Sequence, residues 1–190
     1  MKLSTLKWIV VLGACIGANS ALAARFTLAQ GTGYRIEPVY GIETVYRDYP
    51  TAHLQTRSMY GLRLSLGVDL LSLETEYSKA SDTEDYSTAP EKVKTDDERL
   101  KLGLSSTYRV EWFHMTGRAG AQATQTVRET TSGGVMTTDK RPIQYNPYAG
   151  ASIGVNFGPV SINLSSTVVF RDNDWDKSDV QNTISAGVGF

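Results

Sequence analysis

The sequence predicts an all-β chain, an eight-stranded antiparallel up-and-down transmembrane barrel. Apolar residues recur at every second position through eight successive segments, the period of a strand whose two faces meet different media. The connections are unequal: three are tight turns and four are long and polar. No Lys, Arg, Asp or Glu interrupts the apolar parity at the centre of a segment, as expected where a midplane charge costs about 2–4 kcal/mol.

The first segment, "TGYRIEPVYGIETVYR", sets Tyr34, Ile36, Pro38, Tyr40, Ile42, Thr44 and Tyr46 against Arg35, Glu37, Glu43 and Arg47. In the second and third, Tyr60, Leu62, Leu64 and Leu66, then Leu71, Leu73, Thr75 and Tyr77, oppose Arg63, Ser65, Glu74 and Glu76, with a tight turn at residues 67–70. The fourth and fifth set Leu100, Leu102, Leu104 and Tyr108, then Phe113, Met115 and Ala119 to Ala123, against Lys101, His114, Arg118 and Gln122, across a turn at 109–111. Ile143 to Phe157 and Ile162 to Phe170 form the sixth and seventh around Gly158-Pro159, and "NTISAGVGF" closes the eighth. Residues 48–56, 81–96, 128–141 and 172–179 are read as loops, the second of them as a solvated hairpin extension. Short turns at one end and long loops at the other are the plan of an outer-membrane barrel. Pro38 and Pro147 cannot donate ladder hydrogen bonds, so bulges or strand ends are expected beside them.

A secreted lipocalin-like barrel would alternate equally well, with its faces reversed. The parity opposite the apolar one is crowded with Gly61, Ser65, Gly103, Ser105, Gly120, Gly150, Ser152, Gly154, Ser161 and Gly187, small groups suited to a narrow interior rather than a wet exterior. Aromatics gather near segment ends, with Tyr46, Tyr60, Tyr77, Tyr145 and Phe170 towards the loops and Tyr34, Tyr108, Phe113 and Phe157 towards the turns. They are expected to form interfacial belts.

The N-terminus reads as a secretory signal peptide over residues 1–23: Lys2 and Lys7, an apolar run from Trp8, then Ala21-Leu22-Ala23. Its rival is a lipoprotein box at Leu12-Gly13-Ala14-Cys15, preceded by a short apolar run. Residues 24–31 are expected to be a periplasmic lead and 32–190 the barrel. No later stretch approaches the roughly 20 apolar residues of a membrane helix. Cys15 is the one cysteine of the chain, so a disulfide framework is not expected. Losing Lys2 and Lys7 leaves acidic residues in slight excess, and a nucleic-acid partner, which needs a basic patch, is not expected.

The "RAGA" of the fifth segment, the "YAGASIGVNFG" of the sixth and the closing Ile184, Ala186, Val188 and Phe190 resemble the small-barrel superfamily that includes the outer membrane protein A transmembrane domain, outer membrane protein X, the attachment-invasion proteins and the opacity proteins. The resemblance implies a bacterial outer-membrane monomer in lipid and lipopolysaccharide, without a cofactor. It also implies an assembly signal at Ile184, Ala186, Val188 and Phe190 for the barrel-assembly machinery. A structural role, or adhesion to a host or surface ligand through four extracellular loops, is expected; the alternatives are a narrow channel and a lipid A-modifying enzyme.

Among inward-facing residues, Arg35, Glu37, Glu43, Arg47, Arg63, Glu74, Glu76, Lys101 and Arg118 are expected to form a lumen charge network, because unpaired charges in so narrow a space are costly. Within it Glu43, Glu74 and Glu76 are the expected partners of Arg63, Lys101 and Arg118. His114 lies just past a turn, and without a Gly-x-Ser-x-Gly elbow no catalytic residue is assigned. Asp172, Asp174 and Asp176 have the first spacings of a calcium loop, but Lys177 replaces its glycine and no Glu stands at the closing position, so no metal site is assigned.

Overall fold

The computed structural model describes residues 33–47, 51–87, 90, 92–171 and 174–190, with the side chains of 174–176 outside the description. The signal-peptide, Cys15 and 24–31 readings lie outside the described residues, as do residues 172 and 173 of the calcium-like stretch. The strands are β1 (Gly33–Arg47), β2 (His53–Val68), β3 (Leu71–Asp85), β4 (Lys92–Val110), β5 (Phe113–Ser132), β6 (Val135–Lys140), β7 (Gln144–Phe157), β8 (Val160–Arg171) and β9 (Asp174–Gly189). All pairings are antiparallel. The order β4-β3-β2-β1-β9-β8-β7-β5 is closed by β4 on β5, which gives the eight-stranded barrel. Closure satisfies the strand edges that an open sheet would leave unpaired.

β6 is the departure from eight segments. It pairs with β5 between Val127 and Ser132, beyond the part of β5 that reaches Thr124 against β7. It is therefore an arm standing on the barrel rim. Gly133 and Gly134 turn it with φ of 57° and 78°, values that favour glycine.

Residues 81–85 and 92–96 form the expected hairpin extension, and much of the other expected loop sequence is strand as well. Towards the hairpin end β2 starts at His53, β3 runs to Asp85, β4 starts at Lys92, β5 runs to Ser132 and β9 starts at Asp174. Once one hairpin's strands are in register, further pairs form without added closure cost, and polar residues tolerate extension into water. Two tight turns are shorter than read, Asp69-Leu70 and Glu111-Trp112, while Gly158-Pro159 turns the chain as expected. β4 continues through Arg109 and Val110, and Glu111 takes a φ of 52°.

The prolines interrupt ladders without shifting β1. Pro38 stays opposite Leu62, and no bulge or strand end forms there, but the β1–β9 ladder skips from Ile36 to Val39. Pro147 pairs with Ala121, whereas the β7–β8 ladder begins only at Tyr148 opposite Val169. A register shift between Val169 and Arg171 follows on β8.

The two faces are inverted relative to a water-soluble barrel. Leu62, Leu64, Leu73, Leu100, Leu102, Leu104, Ile153, Leu164 and Ile184 are exposed on the outer wall, while Glu43, Arg63, Glu76, Lys101 and Gln181 are buried inside. The first outward charges at the hairpin end are Lys79 and Glu98, opposite each other and 2.5 Å apart. They bound the apolar band directly beyond Tyr77 and Leu100.

Candidate lumen site and vestibule

Ladder register carries the lumen chemistry. Glu37 on β1 lies opposite Arg63 on β2, Arg63 opposite Glu76 on β3, and Glu76 opposite Lys101 on β4. One hoop of the barrel thus alternates in sign. Arg63 donates to Glu37 Oε2 at 3.1 Å and to Glu76 Oε2 at 2.6 and 2.9 Å, and Lys101 Nζ donates to Glu76 Oε1 at 2.6 Å. One step towards the turns, Glu74 lies 3.7 Å from Arg63 and 3.4 Å from Arg118 of β5. Glu37, Glu74 and Glu76 therefore balance Arg63, Lys101 and Arg118. Balance matters because an ion left without a partner in such a site costs several kcal/mol.

A second cluster fills the lumen towards the hairpin end. Arg57 Nε donates to Glu43 at 2.5 Å, Arg99 donates to Glu43 at 2.7 Å and to Asp97 at 3.0 Å, and Arg57 also pairs with Asp97. Arg47 lies 3.5 Å from Asp82 and 3.6 Å from Asp97. The Thr126 hydroxyl completes Asp97 at 2.6 Å. Glu43, Asp82 and Asp97 thus balance Arg47, Arg57 and Arg99. Glu43 does not meet Arg63, Lys101 or Arg118, because its ladder row holds Arg57 and Gln181.

Beside the first cluster Tyr148 reaches from β7 over Gly120 of β5 towards Gly103 of β4, with Lys101 Nζ 5.8 Å from its ring centre. Its hydroxyl sits where a Cβ on Gly103 would be, so a side chain at 103 would push it away. His114 Nε2 meets Asn163 Oδ1 at 2.5 Å, its Nδ1 meets the Asn156 amide at 2.9 Å, and Asn163 donates to Glu37 at 3.1 Å. Both ring nitrogens are thus held by amides rather than by a serine. Below this layer a vestibule of about 440 Å³ reaches the turn end, lined by Arg35, Glu37, Glu74, Arg109 and Arg118 and by several hydroxyls.

Arg35 touches the network only through a 3.8 Å approach to Glu37. Reading the second segment from Met59, the fourth from Arg99 and residues 81–96 as loop missed Arg57, Asp97 and Asp82 respectively. Continuing the inward parity past the apolar residues would have found all three. Among the aromatics, Tyr34, Tyr60, Tyr77, Tyr108, Tyr145 and Phe157 are exposed on the outer wall, while Tyr46, Phe113 and Phe170 are half-buried. Trp112, missed because its turn was placed early, is 61% exposed and packs edge-on to Phe113 at 6.4 Å. Ile184, Val188 and Phe190 face outward with Ala186.

The chain matches no protein-family model and no curated protein. Solved structures match it through shape. Ail, the attachment invasion locus protein of Yersinia pestis, is 15% identical with a TM-score of 0.59 over 85% of this chain and 100% of that one. The chain has the fold of the small eight-stranded outer-membrane barrels. Neisserial surface protein A, 8% identical, matches this barrel with a TM-score of 0.57 over 84% of the chain and 98% of its own. The N-terminal domain of OprF from Pseudomonas aeruginosa, 11% identical, does so with a TM-score of 0.57 over 85% and 100%.

Proposed function

We propose that this barrel resides in a bacterial outer membrane, closed to solutes through its lumen, and acts at its hairpin end as a structural or surface-recognition protein. The observation that carries this reading is the pair of balanced ion clusters filling the lumen from Glu37 to Arg47. A chain whose interior is tied off offers function to partners mainly through what it projects. Here those projections are the β3–β4 hairpin and the β5–β6 arm, and binding is commonly carried by connections on a rigid scaffold. The attachment-invasion protein with the same fold supports recognition as the class of role. In this reading Ile184, Ala186, Val188 and Phe190 present the last strand to the assembly machinery.

A narrow channel is the second reading, and the vestibule favours it, since it already hollows the turn end as far as Glu74 and Arg118. Planar-bilayer recording separates the two. The closed reading expects no steady open state from the wild-type barrel and increased leakage from Glu74→Ala or Arg118→Ala; stable wild-type openings would select the channel. Location is tested by labelling Gly133→Cys on intact cells with a membrane-impermeant maleimide, alongside a heat-modifiability gel. Labelling of a heat-modifiable band is expected, whereas a detergent-free soluble protein would reject the reading.

A further inference from the structure

The turn-end vestibule has polar groups that the ion network does not use. Arg118 is 8% exposed and its Nε has no hydrogen-bond partner among the described residues. One Nη of Arg118 is spent on Ser152 Oγ at 3.1 Å and the other lies 3.4 Å from Glu74. Because Ser152 accepts that bond, its own hydroxyl hydrogen stays available. Ser105 sits directly opposite Arg118 in the β4–β5 ladder and lines the same cavity. Its hydroxyl has no acceptor among the described residues. Arg35, also on the wall, is engaged only at 3.8 Å by Glu37.

The acceptors nearby are more fully committed than the donors. Glu37 receives Arg63, Asn163 and Ser185, and Glu74 is shared by Arg63 and Arg118. Asp69 is taken by Arg109 at 3.0 Å. The carboxylates of the wall, Glu37, Glu74 and Asp69, already have partners, so what is left over there is donor capacity, at the Arg118 guanidinium and the serine hydroxyls. A guanidinium flanked by hydroxyls matches planar or tetrahedral oxyanions better than a spherical halide, because its donors are fixed in a fork. The volume of about 440 Å³ falls in the range of small-molecule sites.

We propose that the vestibule binds small solutes bearing a carboxylate or phosphate group, held by Arg118 between Ser105 and Ser152 and approached past Arg35 from the turn end. This goes beyond the hairpin-end role and stands whether or not that role does, since it concerns the opposite mouth of the barrel.

The test is NMR titration of the processed, full-length barrel in zwitterionic micelles, at constant ionic strength, with acetate, inorganic phosphate or sodium chloride. Saturable shifts of the Arg118 side-chain and Ser105 signals by acetate or phosphate, absent with chloride, are expected. The anion that saturates at lower concentration identifies the preferred group. Arg118→Gln should weaken binding about tenfold or more, since it replaces a charge-assisted bond by a neutral one. Ser105→Ala should weaken it measurably and preserves the ion network if Arg118→Gln fails to fold. Lack of saturation, an equal response to chloride, or unchanged binding in the folded variants would overturn the proposal.

Discussion

Arg63 shows how much a single side chain holds in this lumen. It is buried, and its guanidinium touches Glu37, Glu74 and Glu76 together. Arg63→Gln keeps a polar group but strands carboxylates in a confined space, so a loss of about 3–5 kcal/mol is expected in denaturant unfolding of the micellar barrel. An unchanged midpoint would show that water already screens the cluster. Gly103 carries a steric argument instead. A Cβ there would meet both the Tyr148 hydroxyl and the Ala119 carbonyl, so Gly103→Val must displace both. A lower temperature for the heat-modifiability shift is expected, and Gly103→Val combined with Tyr148→Ala should recover part of it.

At the scale of elements, β2 and β3 meet across the rim through His53. The ring's Nδ1 lies 2.7 Å from the Thr51 carbonyl and its Nε2 lies 2.9 Å from Glu84, whose other oxygen accepts from the Tyr86 hydroxyl at 2.6 Å. The Thr51 carbonyl first, and Glu84 next, raise the His53 pKa above its ordinary value. A raised folded-state value means that the clasp contributes fully below the ordinary histidine pKa and is lost as pH climbs through the raised one. Amide exchange at His53 and Glu84 should therefore be slower at pH 5.5 than at pH 8.5, and His53→Gln should flatten that difference.

The same elements explain what could be read in advance. Parity was legible throughout, because each strand separates an apolar wall from a polar lumen. Register was legible where a two-residue turn fixes the offset: Val68 opposite Leu71 forces Arg63 opposite Glu76. Across the long hairpins no such anchor exists. The Glu43–Arg57 pair depends on Arg47 meeting His53, and Asp97 joins its cluster through the pairing of Asp85 with Lys92. Neither register can be set from residues 48–56 or 81–96 alone.

For the whole molecule, the apolar wall makes its own test. Leu102 lies exposed at the middle of that wall, between Thr75 and Ala121. Leu102→Arg should cost about 2–4 kcal/mol in lipid-embedded unfolding, while Leu102→Ile should be close to neutral. Equal stability of both variants would mean that the wall faces water.

The hoop of alternating charge also bears on how such a cylinder comes into being. Its anions and cations, Glu37, Arg63, Glu76 and Lys101, all belong to the first four strands and sit on adjacent ones. The later strands bring mostly dipoles to the central lumen: Asn163, Ser165, Gln181, Thr183 and Ser185. A nascent four-stranded ribbon can thus travel with its ionic groups already cancelled in pairs. Apart from Arg118 of β5, which meets Glu74, what remains for the closing strands is mostly to add amides and hydroxyls, which cross a greasy barrier at far smaller penalty than naked charge.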